Sequence, residues 1–253
     1  MWKPNSSSGR TTATPFNGER REKDFMHSFF MPEIPVPGTV FRLPEEEENH
    51  LFRILRGRSG ERVRLLNGAG CRGMAQILSG RELQLESREE IPFPALKLVL
   101  ACAAPRRQKL DGLLKQAAEL GVMEIHFMQC IRSVAKPEDK ERWRNLLAEA
   151  CKQSGNVFLP KTAVHGSVAE TLESLEKGAK LYYGAVIPPE EPFPPVPGKG
   201  TVVFFAGPEG GFTEEEEALL QSAGAHGISL GPWILRLETA AAAGVAVLRA
   251  AAK

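Results

Sequence analysis

The chain has 253 residues, 42% hydrophobic and 25% charged, which suits a globular protein with room for two modest domains or one large one. No apolar run approaches the roughly 18 residues of a membrane span, and the opening text "MWKPNSSSGRTTATPFNGERREKDF" has no apolar segment of the signal-peptide kind, so a cytoplasmic protein is expected. A formal net charge of +1 neither requires nor excludes a polyanionic partner, because the local placement of charge decides.

Residues 1–26 are polar and without periodicity and read as a disordered extension, with Met26 as an alternative start. Residues 27–92 read as a small β-rich domain: a strand in "GTVFRL", a brief helix in "EEEENHLFRILRG", then strands in "ERVRLLNGAGCRGMAQILSGRELQLES" with turns at Asn67-Gly68 and Ser79-Gly80. "IPFPA" closes it as a linker. From about residue 95 to 253, strands and helices alternate. "LKLVLACA" is a buried strand, and "RQKLDGLLKQAAELG" is a helix with Leu110, Leu113, Leu114, Ala117 and Leu120 on one face and Gly121 as its stop. "VMEIHFMQ" is a strand. "PEDKERWRNLLAEACKQSG" is a helix with Pro137 near its start, Trp143, Leu146, Leu147 and Ala150 on one stripe, and Gly155 at its end. Ser167 and Glu170 open a third helix as a capping box, stopping near Gly178. "AKLYYGAVI" and "TVVFFAG" are strands on either side of the proline-stiffened loop "PPEEPFPPVPGKG". Thr213 and Glu216 form a second capping box, which makes the run Glu214 to Glu217 the first turn of a helix. "GISLG" and the alanine-rich "ETAAAAGVAVLRAAAK" finish the chain as strand and helix. This alternation predicts a parallel sheet flanked by helices.

Two strand ends carry unusual text, "AGPEGGF" and "SLGPWILRLET", where parallel α/β sheets gather ligands. The first fits neither a dinucleotide fingerprint nor a Walker loop. Pro208 removes a backbone donor and Glu209 places a carboxylate where an anion would lie, so an uncharged or cationic ligand is expected. A tight turn without a ligand is the competing reading of the same glycines. Cys71, Cys102, Cys130 and Cys151 form no CxxC pair and no metal-ligand cluster, and are expected to be buried, reduced thiols. His27, His50, His126, His165 and His226 show no catalytic pairing with Ser or Cys and read as solvated or packed. Basic clusters at Arg53, Arg56 and Arg58, at Arg106, Arg107 and Lys109, and at Arg132 and Lys136 suit contact with phosphates, though each alone also reads as a solvated face.

"GPEGGFTEEE" followed by "LGPWILRLETAAAAG", together with "KLDGLLKQAAELGV", "IRSVAK", "ACKQSGN", "FFMPE" and "HLFRILRGRSGE", resembles the RsmE family of SPOUT methyltransferases over nearly everything after residue 26. The resemblance implies an α/β SPOUT domain with a carboxyl-terminal deep trefoil knot, preceded by a small PUA-like β-barrel domain. It implies methylation of N3 of a uridine in 16S ribosomal RNA near the decoding site, with S-adenosylmethionine as donor, and a homodimer with the knot region at its interface. The apolar face of the last helix, with Val245, Val247 and Leu248, then reads as facing a second copy, with ordinary core as the alternative. By position the resemblance assigns donor contact to Gly207, Glu209, Gly210, Gly211, Leu230, Gly231, Ile234, Leu235, Thr239 and Ala240. The RNA-modifying fold that it implies tips the basic text, at Arg53, Arg56, Arg106, Arg107 and Arg132, from a solvated face toward RNA contact. No metal and no membrane are implied. Uracil N3 is a poor nucleophile until it loses its proton, so a cation must stabilise the resulting anion and a base must take the proton. Arg236 is the candidate for the first role, with an ion pair or a helix-end cap as its bland alternative; Glu238 or Glu209 is the candidate for the second. The chain departs from the family at Ser28, Asn156 and Trp233, where arginine is usual, and at Leu237. Those departures leave a second reading open, a weakly active or inactive relative that serves as an RNA-binding or ribosome-assembly factor.

Overall fold

Alternating burial builds the first sheet of the computed structural model, which describes residues 26–136, 140–187 and 193–253, with the side chains of Arg107 and Lys140 outside that description. The expected extension over 1–26 therefore lies, apart from Met26, outside the described residues, as do Pro137 and residues 188–192 of the proline loop. The elements are β1 (Ser28–Phe30), β2 (Val40–Phe41), α1 (Glu45–Asn49) continuing as a π-helical turn over His50–Ile54, β3 (Arg62–Leu66), β4 (Cys71–Ile77) and β5 (Leu83–Glu90). Their order is β1-β3-β4-β5-β2, with β1 parallel to β3 and the other pairs antiparallel. The inward residues Val63, Leu65, Ala75, Ile77, Leu83 and Leu85 close on Phe29 and Leu51 as one core, each large side chain worth about 1.5–3 kcal/mol of burial. The expected turn at Asn67-Gly68 forms because Asn67 Oδ1 accepts from the amides of Ala69 and Cys71, both at 2.8 Å, and Gly68 takes φ 74°.

The second sheet is wholly parallel. Its elements are β6 (Leu96–Ala103), α2 (Arg107–Glu119), β7 (Glu124–Met128), α3 (Lys140–Ser154), β8 (Lys161–His165), α4 (Val168–Ser174), β9 (Lys180–Gly184), β10 (Gly200–Ala206), α5 (Glu214–Ser222), β11 (His226–Ile228) and α6 (Leu237–Ala251). The strand order is β11-β9-β10-β6-β7-β8. Apolar β6 and β10 lie side by side at the centre and are covered by α6, whose Val245 and Leu248 join their core, while Trp143 of α3 packs on Phe127 of β7. A smaller cluster of Leu66, Met123, Val157 and Phe158, with Ile91 from the linker, joins the two sheets.

Four expectations change. β1 and β8 are strands that sequence reading did not find. The third helix ends at Ser174, short of Gly178, because Leu175 is already extended. Ser167 caps that helix through Glu170 N, but the Glu170 carboxylate accepts from Gly166 N at 2.7 Å, so the reciprocal half of the box is displaced by one residue. Val245 and Leu248, expected to face a second copy, are core of this chain, and only Val247 of the three reaches the surface.

Candidate active site

The parallel order brings the carboxyl ends of β9, β10 and β11 together, and a cavity of about 280 Å³ opens there. Its wall comes from the ends of β9 and β10, the glycine turn after β10, one side of α5, and the loop from β11 into α6. Of the residues expected to hold the donor, Gly207, Glu209, Gly210, Gly211, Leu230, Gly231, Ile234, Leu235 and Ala240 all line it; Thr239 is not part of the wall.

The glycine turn is held from within and from outside. Gly211 takes φ 73° and donates to Pro208 O at 2.8 Å. Arg132, in the loop after β7, donates through Nη1 to the carbonyls of Gly210 (3.0 Å) and Phe212 (3.1 Å), a bracing role that its reading as an RNA contact did not include. The Thr213–Glu216 capping box forms in full. Glu216, however, is more than first-turn decoration: it is buried, and its Oε1 also accepts from Ile131 N at 2.9 Å, clasping the β7 loop to the start of α5. In the second loop Gly231 takes φ 133°. Among the described residues the amides of Leu230, Ile234 and Leu235, all three in the wall, make no hydrogen bond, which leaves them available to a ligand or to water.

Charge in the wall is one-sided. Among the described residues it contains Glu209 and Glu217 but no Lys or Arg, a composition suited to a cationic ligand and unsuited to a phosphate. Glu217 was read as part of an ordinary helical first turn. Partial burial, seconded by the neighbouring charge of Glu214, lifts its carboxyl above the usual range. A sequence signal for it exists: four residues past the Thr213 cap, it shares the cap's face of the helix, next to the glycine turn. The fit to S-adenosylmethionine, a sulfonium with no phosphate, rests on these free amides and carboxylates.

Arg236 and Glu238 flank the cavity without lining it, although Leu235 and Leu237 do. Arg236 is the N-cap residue of α6, exposed, and makes no side-chain cap bond and no ion pair among the described residues. Glu238 is 3.4 Å from Lys109 on α2. Arg53, Arg56, Arg58, Arg106 and Lys136 are exposed, and Arg106 is the N-cap of α2, the helix that packs on α6. The departures sort by place. Asn156 is a joint of the fold, Nδ2 donating to Ala118 O at 2.9 Å and Oδ1 accepting from Phe158 N at 3.0 Å. Ser28 lies in β1, Leu237 is buried, and Trp233 stands in the cavity wall.

The four cysteines are buried free thiols. Burial drives the Cys102 thiol well up, and those of Cys130 and Cys151 to about 12, which removes them as nucleophiles near neutrality. Among the histidines, sequence reading missed one grouping: His126 Nδ1 and His165 Nε2 lie 2.9 Å apart, with Ser174 Oγ 3.4 Å from each. None of these three belongs to the cavity wall.

Comparison with known proteins agrees with this geometry. Residues 92–249 match the family model of the RNA methyltransferase domain. The ribosomal RNA small subunit methyltransferase E of Synechocystis sp. is 28% identical over 236 residues, covering 87% of this chain and 75% of that protein. Its namesake in Bacillus subtilis is 26% identical over 226 residues, covering 79% and 86%. Among solved structures, ribosomal RNA small subunit methyltransferase E from Neisseria gonorrhoeae, bound to S-adenosyl methionine, superposes with a TM-score of 0.78 at 27% identity, covering 89% of this chain and 98% of that one. With more than half its length under the family model and its cavity between the loops that carried the resemblance, the chain belongs to the RNA methyltransferase family, and within it to the RsmE enzymes.

Proposed function

We propose that this chain transfers the methyl group of S-adenosylmethionine to N3 of a uridine in 16S ribosomal RNA, near the decoding site. The observation that carries this reading is the wall itself: both signature loops meet in one cavity that offers free amides and carboxylates and no cation. S-adenosylmethionine supplies an electrophilic methyl group there. Arg236, unpaired beside the cavity, stabilises the uracil anion as the N3 proton leaves. Glu209, in the wall and without a side-chain partner among the described residues, is better placed to take that proton than Glu238, whose carboxylate faces Lys109.

Residues 27–92 act in this reading as a PUA-like RNA-binding domain and 95–253 as the SPOUT domain. β11 lies beside β9, the outer neighbour of β10, so the segment after β10 returns past β9; that route supports a trefoil knot. The enzyme works as a homodimer in the cytoplasm, and no helix among the described residues is long and apolar enough to cross a membrane. Arg53, Arg56 and Arg106, all exposed, meet RNA phosphates, together with Arg107, which follows Arg106 in sequence. Trp233 in place of the usual arginine keeps the binding-only reading in view.

Methyl transfer from labelled S-adenosylmethionine to small ribosomal subunits lacking N3-methyluridine, read by nucleoside mass spectrometry, tests the reading. The expected outcome is N3-methyluridine from the wild-type chain and roughly a hundredfold or greater loss of kcat in Arg236→Ala with donor affinity retained. Donor binding without any methyl on the RNA would replace the enzyme reading by the binding-only one.

A further inference from the structure

We infer that Trp233 is the platform on which the target base stacks beside the methyl donor; the inference rests on the RNA-methylating reading above and extends it to how the acceptor is held. The reaction requires an unstacked base at the cavity mouth, because an N3 edge within a helix is covered by pairing. A splayed base is held by aromatic faces more readily than by any other side chain, since every base offers a π surface.

The chain has few aromatic groups to offer there. Phe212 also lines the cavity, but it is only 6% exposed and packs against the glycine turn. Trp143, Tyr182 and Tyr183 are buried, and the exposed Phe93 and Phe193 are not in the wall. Trp233 is in the wall and 81% exposed. Among the described residues it alone presents a free aromatic face at the cavity. Its loop turns at Gly231, which takes φ 133°, and is anchored at the far end by Leu237, which is buried. Three residues on, the same loop carries Arg236 at the start of α6. One short segment thus supplies a stacking surface and, beside it, the cation for the anion that forms. A pyrimidine laid flat on the indole keeps its N3 edge free to face the donor.

The test compares wild type, Trp233→Ala and Trp233→Phe as full-length chains, measuring steady-state transfer to unmodified small subunits, donor affinity by calorimetry and molecular mass in solution. Trp233→Ala is expected to lower kcat/KM for the subunits roughly five- to a hundredfold, with donor affinity within about twofold of wild type and mass unchanged, while Trp233→Phe retains most of the rate. Equal rates in wild type and Trp233→Ala would overturn the proposal, as would a Phe variant as poor as the Ala variant. A matching loss of donor affinity would reassign the indole to the cofactor, and a drop in mass would reassign it to a second copy; either result also overturns the proposal. A wild-type chain that transfers no methyl at all removes the functional reading and this inference with it, a pattern distinct from failure of the inference alone.

Discussion

Arg132 shows how far a residue's role can lie from its neighbours in sequence. It sits in the loop after β7, yet its guanidinium serves carbonyls of Gly210 and Phe212, 78 and 80 residues away. Charge-assisted hydrogen bonds of this kind contribute roughly 1.5–3 kcal/mol when sheltered, and less where the side chain is exposed, as here. Arg132→Ala is therefore expected to weaken S-adenosylmethionine binding by about tenfold, seen by calorimetry, while the melting temperature changes little. Arg132→Lys is expected to recover only part of that affinity, because a single ammonium lacks the planar fork. The glycine turn was legible because its backbone geometry is written in its own text, whereas Leu230 and Ile234 were reached only through the resemblance of the second loop to a known family. Arg132, Glu216 and Glu217 were not legible, because their partners come from other elements and no local pattern records such pairings.

At the scale of elements, α6 lies so close to β10 that a β-carbon on Gly244 would fall 2.2 Å from the ring of Phe204, which is fully buried. Alanine in place of a mid-helix glycine gains about 1 kcal/mol of helix propensity, but forcing a methyl into a closed contact costs about 1–3 kcal/mol. Because the ring is enclosed and has nowhere to yield, the second effect should win, and Gly244→Ala is expected to lower stability by about 1–2 kcal/mol in urea unfolding. A second prediction concerns β7, β8 and α4, which His126, His165 and Ser174 join. Burial holds both imidazoles below their usual 6.5; it outweighs Glu124 at His126, where His165 also lowers the value, and Glu170 at His165. The unfolded chain therefore takes up protons first as pH falls. Stability from the neutral pair is fully present above about 6.5 and is lost as pH drops from there through the lower folded values. Urea midpoints measured from pH 8 down to pH 5 should fall over that window, and His126→Asn should flatten the fall. These elements were unequally legible. β6 and β10 announce themselves as continuous apolar runs, whereas β8, "KTAVH", has no fully buried residue, pairs only with β7, and offered no alternation to read. β1 has three residues and gains its identity by pairing with β3.

Across the whole molecule, the two sheets are fastened by more than the cluster around Phe158. Lys152 on α3 reaches Glu47 on α1 at 2.9 Å, with side-chain exposures of 9% and 13%, and Glu47 Oε1 also accepts from Phe30 N at 3.1 Å. Burial alone would lower the Lys152 ammonium, but Glu149 and Glu47 together hold it above its ordinary value. Removing one member of a sheltered pair leaves the other charged and uncompensated, so Lys152→Ala is expected to cost about 3 kcal/mol, with the wild-type chain melting in a single transition by calorimetry. A double-mutant cycle with Glu47→Gln should show strong coupling between the two positions. The cavity lies at the other extreme of commitment, since much of its polar lining is main chain. Peptide amides are the same whatever side chain they carry, so residues 230–235 are free to change what waits outside without changing what is gripped within. In evolutionary terms, keeping the donor and choosing an acceptor become separable events, because a side chain at the rim such as Trp233 can be exchanged while the main chain behind it stays the same.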